Sequence, residues 1–355
     1  MYMNRVEEAI ALAHLSCRGR LVRSAVHSFL GTTDGYMTEA EYAMYEELAA
    51  NGVALIITGH CCVDPLGRAN PEQINIFDDV YIPQFVRAAE LVHAGGARFV
   101  VQISHAGPRA IDVEDLADVT ARPLKKHREA RELTIDEIHS IEQAFVQAAV
   151  RVQRAGADGV QLHAAHSYLL SRFVDPTFNQ RTDVYGGSAE NRFRVVENIL
   201  RGIREVCGPD FPVFVKINSD SKTEDAVYEQ DLRWMLQRMK ELGVELAELS
   251  GVDFINQPKE ARVYYLERAA RLRRETGISM SLVGGVRTLA EMEQVLASGI
   301  DMVSLGRPLV CEPDLLTKLL AGQAQSKCLS CNRCFVLPHM HAGMRCIWQR
   351  KLKRN

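Results

Sequence analysis

No apolar run in these 355 residues approaches the ~20 that a bilayer span needs, so a membrane-crossing helix is not expected. A charge excess of one sign is missing as well. Lysine and arginine total 42 against 45 acidic residues, and a net charge of −3 gives no broad basic field for nucleic acid. The first residues, Met1-Tyr-Met-Asn-Arg-Val-Glu-Glu, mix charges early and lack a signal-peptide core, which points to a cytoplasmic protein. No strand candidate runs into Gly-x-Gly-x-x-Gly, which removes the usual dinucleotide-binding sheet. Cysteine, by contrast, is not scarce. In a reducing compartment the nine cysteines count as thiols or metal ligands rather than a disulfide framework. Five of them, at 17, 61, 62, 207 and 311, are scattered and read as small buried hydrophobes. The other four crowd the last 28 residues, just before a short basic tail (349–355) that reads as a solvated terminus.

What is present is a repeating punctuation. Amphipathic stretches end in Gly or Ala-Gly, and a short apolar run follows at once, as at Gly52-Val-Ala-Leu-Ile-Ile and Gly95-Gly-Ala-Arg-Phe-Val-Val. Glycine suits the left-handed residue after a helix, and four to seven apolar residues suit a strand buried on both faces. Eight strands are predicted near 21–26, 53–58, 98–104, 158–163, 212–218, 244–250, 279–284 and 301–305. Helices follow near 39–51, 80–94, 134–155, 188–206, 227–242, 259–276, 287–298 and 312–321. Thr38/Glu41, Thr134/Glu137 and Thr288/Glu291 fit the capping box that opens a helix. Eight such units imply an α/β protein, a closed (β/α)8 TIM barrel spanning 1–321, with a cysteine-rich C-terminal extension over 322–355. The connections 105–133 and 164–187 are overlong, and long loops on the carboxyl side of a barrel usually build or cover the site.

Chemistry in such a barrel collects where strands end. These ends read Ser24-Ala25, Gly59, Gln102, His163, Lys216, Ser250, Gly284-Gly285 and Gly306-Arg307. Paired carboxylates for glycoside hydrolysis or a divalent-metal cage are missing there. Gly284-Gly285-Val-Arg287 and Gly306-Arg307-Pro308 close the last two strands, where bare backbone N–H groups, a helix start and a guanidinium suit a phosphate. Gln102 offers an amide to a heterocycle, or satisfies backbone in the core. Lys216 is a strand-end cation, a stabiliser of developing negative charge, or a Schiff-base nucleophile. His163-x-x-His166-x-Tyr168 delivers two imidazoles and a phenol to one small volume. The imidazole spacing also allows a metal, but no suitable third ligand lies nearby.

The chain resembles the old yellow enzyme family of flavin-dependent reductases, and within it the NADH:flavin oxidoreductase and 2,4-dienoyl-CoA reductase branch. Matching motifs are Asp34-Gly-x-x-Thr38, Gln102-Ile-Ser-His-Ala-Gly107, His163-x-x-His166-x-Tyr168-Leu-Leu and Arg181-Thr-Asp-x-Tyr-Gly-Gly-Ser-x-Glu-Asn-Arg192. Val283-Gly-Gly-Val-Arg287 and Ser304-Leu-Gly-Arg307-Pro complete the set, covering residues 20 to about 315. The resemblance implies FMN across the barrel mouth, with Ser24, Ala25, Gly59 and Gln102 along its ring system and Lys216 at the N1–C2 edge. It places Gly284, Gly285, Gly306 and Arg307 at the phosphate. It makes His163 and His166 the pair that grips a substrate carbonyl and Tyr168 the proton donor. Three positions depart from the family. Position 216 is often arginine, glycine is common where Ser167 stands, and the first strand ends Ser-Ala-Val-His27 rather than in a Pro-Met pair.

Cys328-x2-Cys331-x2-Cys334-x11-Cys346 is a thiolate-ligand pattern. Dienoyl-CoA reductase relatives bind a [4Fe-4S] cluster with a similar set, but with three residues between the second and third cysteines. Zinc and no metal are the alternatives, and His339 and His341 lie close enough to substitute as ligands. Those relatives continue into an FAD and NAD(P)H module, whereas this sequence stops at 355. A cluster here would be structural, fed by a separate electron-donor protein, or a remnant. The expected activity is NAD(P)H- or partner-driven reduction of the C=C bond of an unsaturated carbonyl compound, by a homo-oligomer. A Schiff-base lyase or aldolase on Lys216 and a non-catalytic electron-relay subunit are the rivals.

Overall fold

Each predicted apolar run becomes a strand, and in the computed structural model, which describes residues 4–124, 128–223, 225–336 and 343–347, the strands lie side by side. The barrel strands are β1 (Leu21–Arg23), β2 (Leu55–Ile57), β3 (Arg98–Ser104), β4 (Gly159–Ala164), β5 (Val213–Asn218), β6 (Leu246–Ser250), β7 (Met280–Val283) and β8 (Met302–Leu305). All neighbours run parallel, and β8 pairs with β1, so the sheet closes on itself. Helices α1 (Glu39–Ala50), α2 (Ile82–Ala94), α3 (Ile135–Arg154), α4 (Ala189–Cys207), α5 (Asp225–Glu241), α6 (Leu266–Thr276), α7 (Leu289–Ala297) and α8 (Leu315–Leu320) follow the strands in turn. The fold is the expected (β/α)8 barrel. No described helix is long and apolar enough to cross a membrane.

Two of the three capping boxes form, at Thr134/Glu137 and Thr288/Glu291. The third does not. Thr38 makes no side-chain cap and donates instead to the Leu30 carbonyl at 2.8 Å. Glu41 is buried and accepts from Ser28 and, at 2.8 Å, from Tyr45. A buried carboxylate takes its partners from the core, and tertiary packing overrides the local pattern.

Alternation along the strands divides the barrel interior into layers. Near its floor, Val22, Val100, Phe214, Leu246 and Met302 pack with Leu15 and Cys17 from the hairpin that pairs Ile10–Ala11 with Ser16–Cys17. Two residues further along the same strands stand Gln102, Lys216, Glu248 and Ser304. Residues i and i+2 share a face, so each apolar residue at the floor carries a polar one toward the mouth.

The connection 105–133 forms a small sheet in which Glu129–Glu132 pairs with Ala117–Asp118 and Arg122–Pro123. Arg172 pins it through buried Asp118, and Arg181 donates to the carbonyls of Val119 (3.0 Å) and Leu133 (2.8 Å). The extension lies on the carboxyl face of the barrel. Ser326 donates its backbone N–H to Arg287 (2.8 Å), and Asn332 its amide to the Ile255 carbonyl (2.7 Å). His339, His341 and the basic tail lie outside the described residues.

Candidate active site

The carboxyl ends of the strands surround a cleft of about 1510 Å³, counting its open mouth. Eleven of the expected residues line it: Ser24, Ala25, Gln102, His163, His166, Tyr168, Lys216, Gly284, Gly285, Gly306 and Arg307. Gly59 does not. It packs against the backbone of Val26 and His27, and its neighbour His60 faces the cleft instead. Phe335 and Met344 of the extension also reach the wall.

A buried polar chain sets the floor. Glu248 can only accept, so Gln161 turns its amide N–H toward it at 3.2 Å. The Gln161 carbonyl oxygen then accepts from Gln102 at 2.7 Å, which leaves the Gln102 carbonyl oxygen for a ligand. Lys216 lies 3.4 Å from Glu248 and donates to the Ser24 hydroxyl at 2.8 Å. An ammonium held between a carboxylate and a hydroxyl is a fixed cation, poorly suited to serve as a free amine.

His163, at the end of β4, is buried, and its Nδ1 has no partner. His166 and Ser167 follow with positive φ of 59° and 60°, a backbone that side chains seldom adopt, held where the Asn218 side chain accepts the His166 N–H at 3.1 Å. The turn brings the rings of His163 and His166 to 5.4 Å, and those of His163 and Tyr168 to 4.7 Å. His166 Nε2 lies 2.9 Å from the Ser250 hydroxyl. Burial holds both imidazoles well below their ordinary pKa, helped by the Lys216 and Arg109 cations, so both are neutral. Burial also pushes the Tyr168 phenol up to about 12.

On the opposite wall, Gly284 and Gly285 have φ of 151° and 75°, and Gly306 caps the short helix Arg307–Cys311. A Cβ on Gly285 would strike Tyr264 and the Val263 backbone, so packing alone already requires glycine there. The Ser304 hydroxyl beside it is buried and unpartnered. Arg307 faces the cleft, but Arg287 does not. Its guanidinium turns to Ser330 and, at 3.1 Å, to the Lys259 carbonyl.

A second, smaller cavity of about 330 Å³ shares Arg307 as a wall and is lined by Cys328, Cys331, Cys334 and Cys346. Cys311, expected to be an inert core thiol, lines it too. Among the described residues no three His, Cys, Asp or Glu side chains stand at metal-binding geometry.

Residues 8–326 match the family model for the NADH:flavin oxidoreductase / NADH oxidase family. The chain belongs to that family. Its motifs are those of the old yellow enzymes, as the sequence indicated. An NADH oxidase of Thermoanaerobacter brockii is 33% identical over 90% of this chain. The match spans only 52% of that protein, about half its length. An NADPH dehydrogenase of Listeria innocua is 29% identical over 88% of this chain and 93% of its own. Among solved structures, a 2-naphthoyl-CoA reductase superposes with a TM-score of 0.86 at 22% identity, covering 96% of this chain and 56% of that one. The old yellow enzyme homologue from Zymomonas mobilis gives 0.79 at 22% identity, covering 91% and 94%. These superpositions show the fold.

His27, noted in the sequence only as a departure from the family at the end of the first strand, also lines the cleft, together with His60 and Asn70, which the sequence did not single out. His27 Nε2 lies 2.8 Å from the Asn70 side-chain oxygen Oδ1, and the rings of His27 and His60 are 4.8 Å apart. Their signal was weak: an imidazole immediately after a strand-end glycine, and another after the first strand.

Proposed function

We propose that this chain is an FMN-dependent reductase of activated C=C bonds, in the class of NAD(P)H:flavin oxidoreductases, working on an enone or enoyl compound. The observation that carries the reading is the meeting of two neutral imidazoles and a phenol, with the orphaned His163 Nδ1 among them, on a cleft whose far wall is glycine, serine and arginine. The residues present fit the cofactor. Ser24, Ala25, Gln102 and Lys216 would hold the ring system, with Gly59 behind them, and Gly284, Gly285, Gly306 and Arg307 the phosphate. Bound there, reduced flavin supplies a hydride to the β-carbon of the substrate.

The protein's own groups do the rest. Neutral imidazoles donate to a carbonyl oxygen without surrendering a proton, which polarises the double bond. Tyr168, protonated at neutral pH, supplies the proton to the α-carbon. Such general-acid help is typically worth about 10²–10⁴-fold. A visible spectrum tests the proposal directly: purified protein without flavin, and unable to take up FMN, overturns it. Anaerobic turnover of enoyl thioesters, enones and nitroalkenes, with NADH and NADPH compared, then identifies the substrate class. A Schiff-base lyase is less favoured, because Lys216 is tied to Glu248 and Ser24. Borohydride trapping of an adduct would reinstate it.

The lining of one cavity by Cys328, Cys331, Cys334 and Cys346 supports a [4Fe-4S] site beside the flavin, with zinc the rival. Iron, sulfide and zinc analysis of anaerobically purified protein decides between them.

A further inference from the structure

His60 has no role in the proposed reaction, yet its imidazole lies within hydrogen-bond distance of the Tyr168 hydroxyl. Its Nε2 lies 3.1 Å from the Tyr168 hydroxyl, and the two rings are 5.0 Å apart. Its other nitrogen, Nδ1, is 2.7 Å from the side-chain nitrogen of Gln73, which is wholly buried. The orientation of Gln73 is not free. Its carbonyl oxygen accepts the Ala69 backbone N–H at 2.6 Å, so the end facing His60 is the amide nitrogen. That nitrogen also donates to the His60 carbonyl at 3.1 Å, clamping ring and backbone together.

An amide nitrogen can only donate, so His60 Nδ1 must accept. A neutral imidazole has one hydrogen, and here it must sit on Nε2. His60 is neutral because burial, with His27 and His163 beside it, depresses its basicity well below the ordinary range. Nε2–H therefore points at the Tyr168 oxygen and donates to it. The phenol's own hydrogen is left with no acceptor on His60 and is available to the cleft.

We propose that His60, held in its Nε2–H form by Gln73, orients the Tyr168 hydroxyl toward substrate and stabilises the phenolate that proton donation leaves. This inference rests on the reading of Tyr168 as proton donor. In the step, the Tyr168 O–H bond breaks and the substrate α-carbon–hydrogen bond forms, while the β-carbon takes its hydride from the reduced flavin of the proposed reaction. The negative charge left on the phenol oxygen sits in a buried site where, without a donor, it is costly; burial already pushes Tyr168 up to about 12. The His60 N–H is in place before that charge develops, and a solvent proton afterwards restores the phenol. His60 is thus a positioning residue.

The test uses the full-length holoenzyme with 2-cyclohexenone as the probe alkene. Nitrogen-15 histidine labelling reads the tautomer, with the His60 signal assigned by its loss in His60→Gln. The Nε2–H form is expected, and an Nδ1–H form overturns the proposal. Gln73→Glu presents an acceptor instead of a donor, so it should move the His60 hydrogen to Nδ1, or charge the ring. Removing one preorganised donor to a developing oxyanion costs about 10²–10³-fold in kcat. His60→Phe should show a loss of that order in kcat with little change in KM, and a larger solvent isotope effect on the alkene half-reaction. His60→Gln, which keeps an N–H, should recover most of the loss. Where His60→Phe fails to fold, Gln73→Glu gives the same reading through the tautomer. If Tyr168→Phe turns over the alkene normally, the donor assignment falls and this inference with it. If Tyr168→Phe is impaired but His60→Phe is not, only the role of His60 falls.

Discussion

The cleft and the cysteine cavity share Arg307 as a wall, yet they are built in opposite ways. In the cleft each reactive side chain stands at a strand end or one turn beyond it. Most have a partner of their own: Lys216 has Glu248 and Ser24, His166 has Ser250, and Tyr168 has His60. In the cysteine segment Cys334 sits in a single helical turn, Arg333–Phe335, Cys331 and Cys346 lie on loops, and all three are half-exposed. The fold completes the first set by itself. The second is brought to one cavity but not to ligand geometry. Thiolate sets of that kind gain their rigidity from the metal they bind. Variants should therefore act on the cleft through chemistry and core stability, and on the cysteine segment through metal content.

The largest effect expected is at Tyr168. Tyr168→Phe removes the acid and keeps the ring, so alkene turnover should fall about 10²–10⁴-fold, while the bound flavin is still bleached by NAD(P)H. Stopped-flow absorbance separates the two half-reactions. A variant that keeps alkene turnover would break the comparison at its strongest point, because Tyr168 would then not be the acid.

Next comes the buried pair on the floor. Lys216 is 3% exposed and Glu248 0%, so Lys216→Met leaves a carboxylate in the core without its cation. Removing one partner of such a pair typically costs about 3–5 kcal/mol. Urea unfolding measures the loss. Lys216→Met with Glu248→Gln should restore part of it, because the uncompensated charge is then gone.

Acid should act on the barrel as well. Burial depresses five imidazoles at or just past the strand ends, at His27, His60, His105, His163 and His166, with His27 and His105 lowered to about 4. The unfolded chain takes up these protons near pH ~6.5 and the folded protein only at lower pH. Their contribution is therefore complete above about 6.5 and is lost as the pH falls toward 4, at up to about 1.4 kcal/mol per pH unit for each ring. His105 Nδ1 accepts the Gly107 N–H at 3.0 Å, a role that an asparagine oxygen can fill. His105→Asn should therefore flatten the acid limb by one proton's slope, seen in urea titrations from neutral pH down to about 5.

The sequence made six of the eight strands visible because each is a short apolar run right after a helix-ending glycine, and Leu21–Val26 and Pro212–Asn218 are legible from their apolar runs, a local signal that burial on both faces requires. It also made His163, His166 and Tyr168 visible, because all three lie within six positions. What it could not show depended on distance in space. Glu41 reads as a capping residue until Ser28 and Tyr45 claim it in the core. Arg287 follows two glycines just as a phosphate-binding arginine should, but Ser330, 43 residues away, takes its guanidinium. His60 looks like a turn residue, because the amide that fixes its tautomer and the phenol it contacts lie 13 and 108 residues off.

The smallest expected effect sharpens the contrast from the other side. Cys331 is half-exposed, and Cys331→Ser changes one atom in a segment outside the barrel core. Substitutions away from packed or paired groups usually shift stability by no more than about ±0.5 kcal/mol. The barrel's unfolding transition and its flavin content should therefore stay within that range. If the four thiols hold a cluster, its visible absorption and its iron and sulfide should fall together in the same variant. Loss of metal with the barrel unchanged would establish two independent centres that share Arg307 as a wall. If the barrel instead lost several kcal/mol, the extension would be part of the structure that positions the cleft, where Phe335 and Met344 already line the wall.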